Sequence, residues 1–362
     1  MSQSRKNTPR AAIQAPPVTT RELSRRLNVN QSTVSRSLNG DPRISPQLAS
    51  RIRRMADELG YRPQPMRSKR KQALGLLIAS DRVDKSDNQF ISRIILEVEQ
   101  VASGHGQHVN VAFIPREGGA ADTPIPSIIA QNRVDGLLLA GHPPASVVNQ
   151  IRSFDLPMIA INDVSERLNI SCVRFDPSQA TREAVVGLHR LGHRRIAIVL
   201  HRLDYPTNRL RDEAYRQAMA ELNLPVADAL RCVNFPRELQ GGHLAVEHLL
   251  ALEDPPTAVL FGNDWMALGA YHALLARGLK VPEDLSIVGH DDVWFTQDPT
   301  LQITTVARDE RALVERAVGT LLEAVESETQ TVDEQTISTA VVWRQSTGAP
   351  NAVPDSVASN AD

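Results

Sequence analysis

Between Val18 and Leu59 the apolar residues recur at helical spacing: Leu23 and Leu27, then Val34 and Leu38, then Leu48, Ile52, Met55 and Leu59. Three short helices facing one small core are predicted. Each has a start signal. Thr19 with Glu22 three positions on forms a capping box, Asn30 is placed to cap the second helix, and Ser45-Pro46 suits the start of the third. Asn39-Gly40-Asp41-Pro42 breaks the chain before that third helix. The connection Asn28-Val29-Asn30 has the length of the turn in a helix-turn-helix, a unit whose second helix lies in the major groove of DNA.

From Leu74 the pattern changes to short apolar runs, LGLLIA, HVNVAFI, VDGLLLA, PMIAI, RRIAIVL, TAVLFG and LSIVG, alternating with amphipathic stretches. Such alternation predicts parallel sheets covered by helices on both faces, and the number of runs suggests two sheets. Ligands in this architecture sit at the carboxyl ends of the strands. Those positions carry Ser80 and Asp81, Asn162 and Asp163, Asn263 and Asp264, and Asp291 and Asp292, with Arg209 and Arg211 opening a helix after RIAIVL. A polar, hydroxyl-recognising cleft is implied, in which arginine donates in a fork and aspartate accepts two hydroxyls.

The 362 residues suit two or three domains rather than one. Charge is unevenly spread: residues 1–72 hold 16 Lys/Arg against 4 Asp/Glu, a net +12, while the remainder is −14. A basic end suits a polyanion, because Lys and Arg displace counterions from phosphates; the same charge also suits a solubilising tail. No apolar run approaches the ~20 residues of a membrane helix, and the polar, basic amino terminus lacks the apolar stretch of a secretory signal, so a cytoplasmic protein is expected. Cys172 and Cys232 have no metal-ligand spacing and read as reduced thiols. The phosphate-loop, dinucleotide, nucleophile-elbow and zinc-protease motifs are all missing, which argues against an enzyme, and no cofactor or metal is expected.

The residues Val18-Thr19-Thr20-Arg21-Glu22-Leu23 through Thr33-Val34-Ser35-Arg36-Ser37-Leu38-Asn39-Gly40, ending at Glu58-Leu59-Gly60-Tyr61-Arg62-Pro63, closely resemble the lactose-repressor (LacI/GalR) family. The resemblance gives base reading to Gln31, Ser32 and Arg36, and phosphate contacts to Thr20, Thr33, Ser35 and Asn39, with Arg43 reaching the duplex from the following loop. The chemistry agrees, since Gln pairs with adenine and Arg with guanine N7 and O6. Family members follow with a hinge helix whose leucine wedges into the minor groove. Here the segment Pro63-Gln64-Pro65-Met66-Arg67-Ser68-Lys69-Arg70-Lys71-Gln72 is shorter and lacks that leucine, leaving either Met66 as the wedge or a basic tether.

The resemblance continues through Arg133-Val134-Asp135-Gly136, Leu191-Gly192-His193-Arg194-Arg195, Gly262-Asn263-Asp264-Trp265-Met266-Ala267-Leu268-Gly269 and Val281-Pro282-Glu283-Asp284 to Asp291-Asp292. It implies a small all-α helix-turn-helix head and an α/β two-lobed sensor like a periplasmic binding protein, with two parallel Rossmann-like sheets. Arg211, Asn263 and Asp291 match the family's effector-holding residues. Ser80 and Asn162 join them as strand-end polar residues. Phe90, in Asn88-Gln89-Phe90, matches an aromatic that stacks on the ligand, and Phe235 and Trp265 are either further platforms or core. Asp264 and Asp292 read as helix caps, Gly269 as a close-packing position, and His290 and Ala214 as departures from the family pattern, His290 lining the pocket.

The expected boundaries are a disordered basic arm at 1–17, the head at 18–62, a linker at 63–73, the sensor at 74–348 and a disordered tail at 349–362. Within the sensor, one lobe takes about 74–174 plus 307–330 and the other about 175–306 plus 335–348. The expected protein is a transcriptional regulator, a repressor, that binds palindromic double-stranded operator DNA as a homodimer under control of a sugar-like or other polar small-molecule effector. The alternative is a solute-binding module without DNA output. The tail carries no leucine heptads, so tetramers are not expected.

Overall fold

The computed structural model describes residues 20–38, 43–59, 70–79, 85–115, 124–141, 143–162, 168–327 and 332–351. The chain divides into two compact units, residues 1–69 and 70–362.

In the first unit three helices form where the apolar spacing places them: α1 (Thr20–Leu27), α2 (Gln31–Leu38) and α3 (Pro46–Glu58). Leu23, Leu27, Val34, Ile52 and Ala56 are buried together, with Val29, Leu38, Leu48, Met55 and Leu59 packed around them. The three-residue turn between α1 and α2 bends through Asn28 at φ 53°, a left-handed conformation that asparagine tolerates. Ser24 Oγ closes the turn by donating to Val29 O at 2.7 Å. Ser45 Oγ accepts from Leu48 N at 3.4 Å, at the start of α3.

The second unit has two six-stranded sheets. The first takes β1 (Ala73–Ala79), β2 (His108–Ile114), β3 (Gly136–Gly141), β4 (Met158–Ile161), β5 (Ser171–Asp176) and β11 (Glu334–Ser338) in the order β11-β5-β4-β3-β1-β2, all parallel. The second takes β6 (Ile196–Val199), β7 (Arg231–Cys232), β8 (Ala258–Phe261), β9 (Ser286–Asp291), β10 (Thr304–Ala307) and β12 (Ala340–Val342) in the order β12-β10-β9-β8-β6-β7, with only the β10–β12 pair antiparallel. Helices cover both faces of each sheet, so the central strands are buried along their length, as continuous apolar runs require. On the first sheet α4 (Lys85–Gly104) and α11 (Glu310–Ser327) cover one face, and α5 (Ser127–Ala130) and α6 (Ala145–Arg152) the other. On the second, α7 (Ser178–Arg190) and α8 (Pro206–Glu221) oppose α9 (Leu239–Leu250) and α10 (Asp264–Ala276). Gly269 lets α9 and α10 meet: a Cβ there would stand 2.0 Å from Leu239 O.

The chain crosses between lobes three times, after β5, after β10 and between β11 and β12. Thr339 Oγ1 donates to Asp176 O at 3.2 Å, fastening two of the crossings to each other. The last crossing lies at residue 339, not near 335, because β11 pairs with β5 and belongs to the first lobe. Its sequence EQTIS alternates between exposed and half-buried positions at a sheet edge and so carries no apolar run. Among the described residues the seven expected runs are all strands, while the shorter or more polar β5, β7, β10, β11 and β12 carry no such run.

Candidate functional sites: a reading helix and an interlobe cleft

On α2 Val34 and Ser37 are buried while Gln31, Ser32 and Arg36 are exposed and Thr33 is half-exposed. The period of 3.6 residues per turn puts Ser32 and Arg36 on the side of the helix opposite the core residues, with Gln31 exposed at its amino-terminal start. Arg43 is exposed where the chain enters α3, and Arg25, Arg26, Arg51, Arg53 and Arg54 add exposed cations to the unit. Thr20 and Ser35 lie on α1 and α2, with side chains outside the description; Asn39 and Met66 lie outside the described residues altogether.

In the second unit a cleft opens where the carboxyl ends of both sheets' strands converge, enclosing about 920 Å³ of empty space, part of it open to solvent. Phe90, Asn162, Arg211, Asn263 and Asp291 all line it, although they stand up to 201 positions apart in the chain. This is the crevice in which open α/β sheets bind ligands. Its walls include strained backbone. Asn162 ends β4 at φ 64° and Asp291 ends β9 at φ 118°, conformations that hold only where the surroundings fix them. Gly141 ends β3 at φ 79°, where a Cβ would lie 2.2 Å from Ala79 O, so glycine is required there.

Arg211 is buried in the first turns of α8, and its Nη1 donates to Asn208 Oδ1 at 2.8 Å. Asn208 is held in turn by donation from Nδ2 to Arg202 O at 2.9 Å. Asn263 caps α10, accepting from Met266 N at 2.8 Å while donating to Arg237 O at 2.8 Å. Asp291 Oδ1 lies 3.1 Å from Arg308 Nη1. Among the described atoms that border the cleft, Asn162 Oδ1 and Arg308 Nε are buried without a hydrogen-bond partner in the protein. Unsatisfied buried polar atoms are uncommon, and where they border a cleft a ligand or water oxygen can satisfy them.

Several expected site residues fall elsewhere. Phe235 packs against the second-lobe core and His248 and is not part of the lining; its carbonyl accepts from His201 Nδ1 at 2.7 Å. Trp265 turns edge-on to Phe295 at 5.0 Å, half-buried against the same core. Both pack against that core instead of the cleft because the apolar faces of α9 and α10 offer more area to an aromatic ring. Phe90 does line the cleft, but the Arg308 guanidinium lies over its ring at 5.0 Å, so that face holds an arginine rather than a sugar. His290 is buried and not among the lining residues; burial first, then Arg211 and Arg308, hold its imidazole well below the usual histidine pKa. Ala214 is buried in α8, also away from the lining. Asp264 caps nothing, since Asn263 has that role, and instead receives Thr305 Oγ1 and Val293 N. Asp292 pairs with Arg344 Nη2 at 2.6 Å and accepts from Thr296 Oγ1 at 2.9 Å. Ser80 lies outside the described residues.

The cleft also recruits residues not anticipated: Tyr205, Thr207 and Asn208 at the start of α8, Arg237, Phe175 and Arg308. The strand-end rule reaches some of these, because Phe175 closes β5 and Arg308 follows β10. Arg237 stacks over Tyr205 at 5.6 Å, a contact with no sequence signal.

Residues 19–64 match the bacterial regulatory proteins of the lacI family, and residues 164–347 match the periplasmic binding protein-like domain. The chain is 31% identical over 323 residues to the HTH-type transcriptional repressor CytR of Escherichia coli (strain K12), covering 88% of this chain and 93% of that protein. It is 29% identical over 298 residues to the probable HTH-type transcriptional repressor ExuR of Bacillus subtilis (strain 168), covering 80% and 86%. Its structure is similar to the lac repressor dimer bound to operator and the anti-inducer ONPF, with a TM-score of 0.66, 26% identity, and coverage of 92% of this chain and 100% of that one. A helix-turn-helix unit and a two-lobed cleft in one chain thus meet relatives alike across both, and the protein belongs to the lacI family of bacterial regulatory proteins, DNA-binding transcriptional regulators.

Proposed function

We propose that the protein is a cytoplasmic repressor, without enzymatic activity, in which a sugar or related polar metabolite in the interlobe cleft governs operator binding by the α2 helices of a homodimer. The observation that carries this reading is the joining of α2's exposed Gln31, Ser32 and Arg36 to a cleft lined by Asn162, Arg211, Asn263 and Asp291. Gln31 and Arg36 read base edges, Ser32 supports them, and Thr20, Thr33, Ser35, Asn39 and Arg43 hold phosphates, which position the helix without specifying sequence. Met66 either wedges the minor groove or belongs to a plain tether. Arg211 donates to the effector and Asp291 accepts from its hydroxyls, with Asn162 on the opposing lobe and Ser80 a further polar contact. Among the described residues no helix is long and apolar enough to cross a membrane.

A dimer is supported by the edge of the first sheet, where Val111 and Phe113 of β2 and Leu96 of α4 are exposed, Phe113 at 63%. An exposed apolar edge strand invites pairing with another chain. Two heads related by a twofold axis then meet two half-sites about one helical turn apart. Effector binding shifts the two lobes and with them the spacing of the heads.

Selection of genomic DNA fragments by the purified full-length protein, repeated with a pool of metabolites, tests the reading. The expected result is a palindromic motif whose recovery changes with the pool. Recovery of no motif in either condition overturns it.

A further inference from the structure

Arg308 borders the cleft at the junction of the two lobes. It directly follows β10, on the crossing that leads into α11, so both lobes surround it. From the second lobe Asp291 meets its Nη1 at 3.1 Å. From the first lobe Glu310, at the start of α11, meets its Nη2 at 3.4 Å. The rings of Phe90 on α4 and Phe175 on β5 lie 5.0 and 5.4 Å from its central carbon, so the guanidinium is held by cation–π contacts as well as by charge. Glu310 also lies 3.5 Å from Arg93 Nη1 on α4, extending the chain of charges from the end of β9 into the first lobe. The side chain is 11% exposed. With two nitrogens engaged and the plane fixed, Nε is buried and has no partner in the protein, while the residue borders the cleft.

A guanidinium so restrained has its plane fixed, and its Nε–H cannot turn elsewhere. Across the same cleft Asn162 Oδ1 is an acceptor without a partner. A donor and an acceptor that the protein leaves unsatisfied suit a ligand with hydroxyl groups, since a hydroxyl both accepts and donates. Burying either atom without a partner costs free energy that a correctly placed ligand oxygen recovers.

We propose that Arg308 is a specificity-determining residue of the effector cleft, giving its Nε–H to an acceptor oxygen of a hydroxylated effector while Asp291, Glu310, Phe90 and Phe175 hold the guanidinium in place. The assignment rests on the sensor reading above and adds a residue to it. Lysine cannot substitute, because its ammonium keeps the charge near Asp291 and Glu310 but has neither the flat face nor the Nε donor.

The test is calorimetric titration of the full-length protein with D-glucose, D-glucuronate, D-ribose and cellobiose, comparing wild type with Arg308→Lys and Arg308→Gln, with thermal melting of each without sugar. The glucose and glucuronate arms separate a hydroxyl from a carboxylate as the accepting oxygen. The expected result is that a sugar bound by wild type loses about 10- to 150-fold in affinity in both variants, the range for a hydrogen bond to a charged group, with the lysine variant melting close to wild type. Undiminished affinity in Arg308→Lys overturns the role of Arg308 and leaves the sensor reading standing. Binding of none of the four sugars by wild type counts instead against the sugar-sensor reading, and the role of Arg308 falls with it.

Discussion

Thr305 Oγ1 donates a 2.6 Å hydrogen bond to Oδ1 of Asp264, joining β10 to the first turn of α10 beneath the cleft. Burial, with the nearby charges of Asp291 and Asp292, raises the Asp264 carboxyl to about 7 against the bonds from Thr305 and Val293. A carboxyl whose folded value lies above its unfolded 3.8 holds its proton more tightly in the folded state. Its contribution to stability is therefore largest at low pH and is lost as pH rises from about 4 to about 7. The expected outcome is that the difference in melting temperature between wild type and Asp264→Asn changes steadily across that window and is flat above it. A constant difference from pH 4 to 8 would show that Asp264 is ionised throughout.

Gly269→Ala places a Cβ 2.0 Å from the backbone oxygen of Leu239, and neither helix can yield without separating α9 from α10. A loss of about 1–3 kcal/mol or more is expected, as for overpacked cores. Urea unfolding measures it, with His272→Ala, an exposed change on the same helix, as the control expected to cost little.

Arg36→Ala should lower discrimination between operator and mutated operator by about 1–3 kcal/mol while salt-sensitive binding to any DNA persists. Competition binding at several salt concentrations reads both quantities. Equal weakening on all sequences would make Arg36 a phosphate contact.

Phe113→Glu puts a charge on the exposed face of β2 that also carries Val111. If that edge joins two copies, sedimentation should move from dimer to monomer with the melting temperature little changed, since Phe113 is already solvent-facing in one copy. A dimer that survives would place the interface elsewhere.

The regular parts of the fold were legible because they rest on local rules. The period-3.6 spacing of Leu23, Leu27, Val34 and Ile52 specifies three helices and one core, and β1 reads as an apolar run because both its faces are covered. Edge strands were harder. β11 is half polar, so the lobe boundary near residue 335 slipped by several positions. Among cleft residues, Asn162, Arg211, Asn263 and Asp291 follow strands or open helices, which places them at the crevice by topology. Phe235 and Trp265 occupy equally suggestive positions, but which side of the backbone their rings take is settled by packing against His248 and Phe295.

The sequence by itself determined the family, the two units and the strand-end polar residues, because periodicity, turn chemistry and strand order act over a few residues at a time. Only the tertiary structure decided that Arg308 stands between Phe90 and Phe175 with Asp291 and Glu310 on its amino groups. Those partners come from both lobes and from four separate elements. Their meeting depends on three crossings that bring distant segments to one place, and no local pattern of hydrophobic and polar residues encodes that distance.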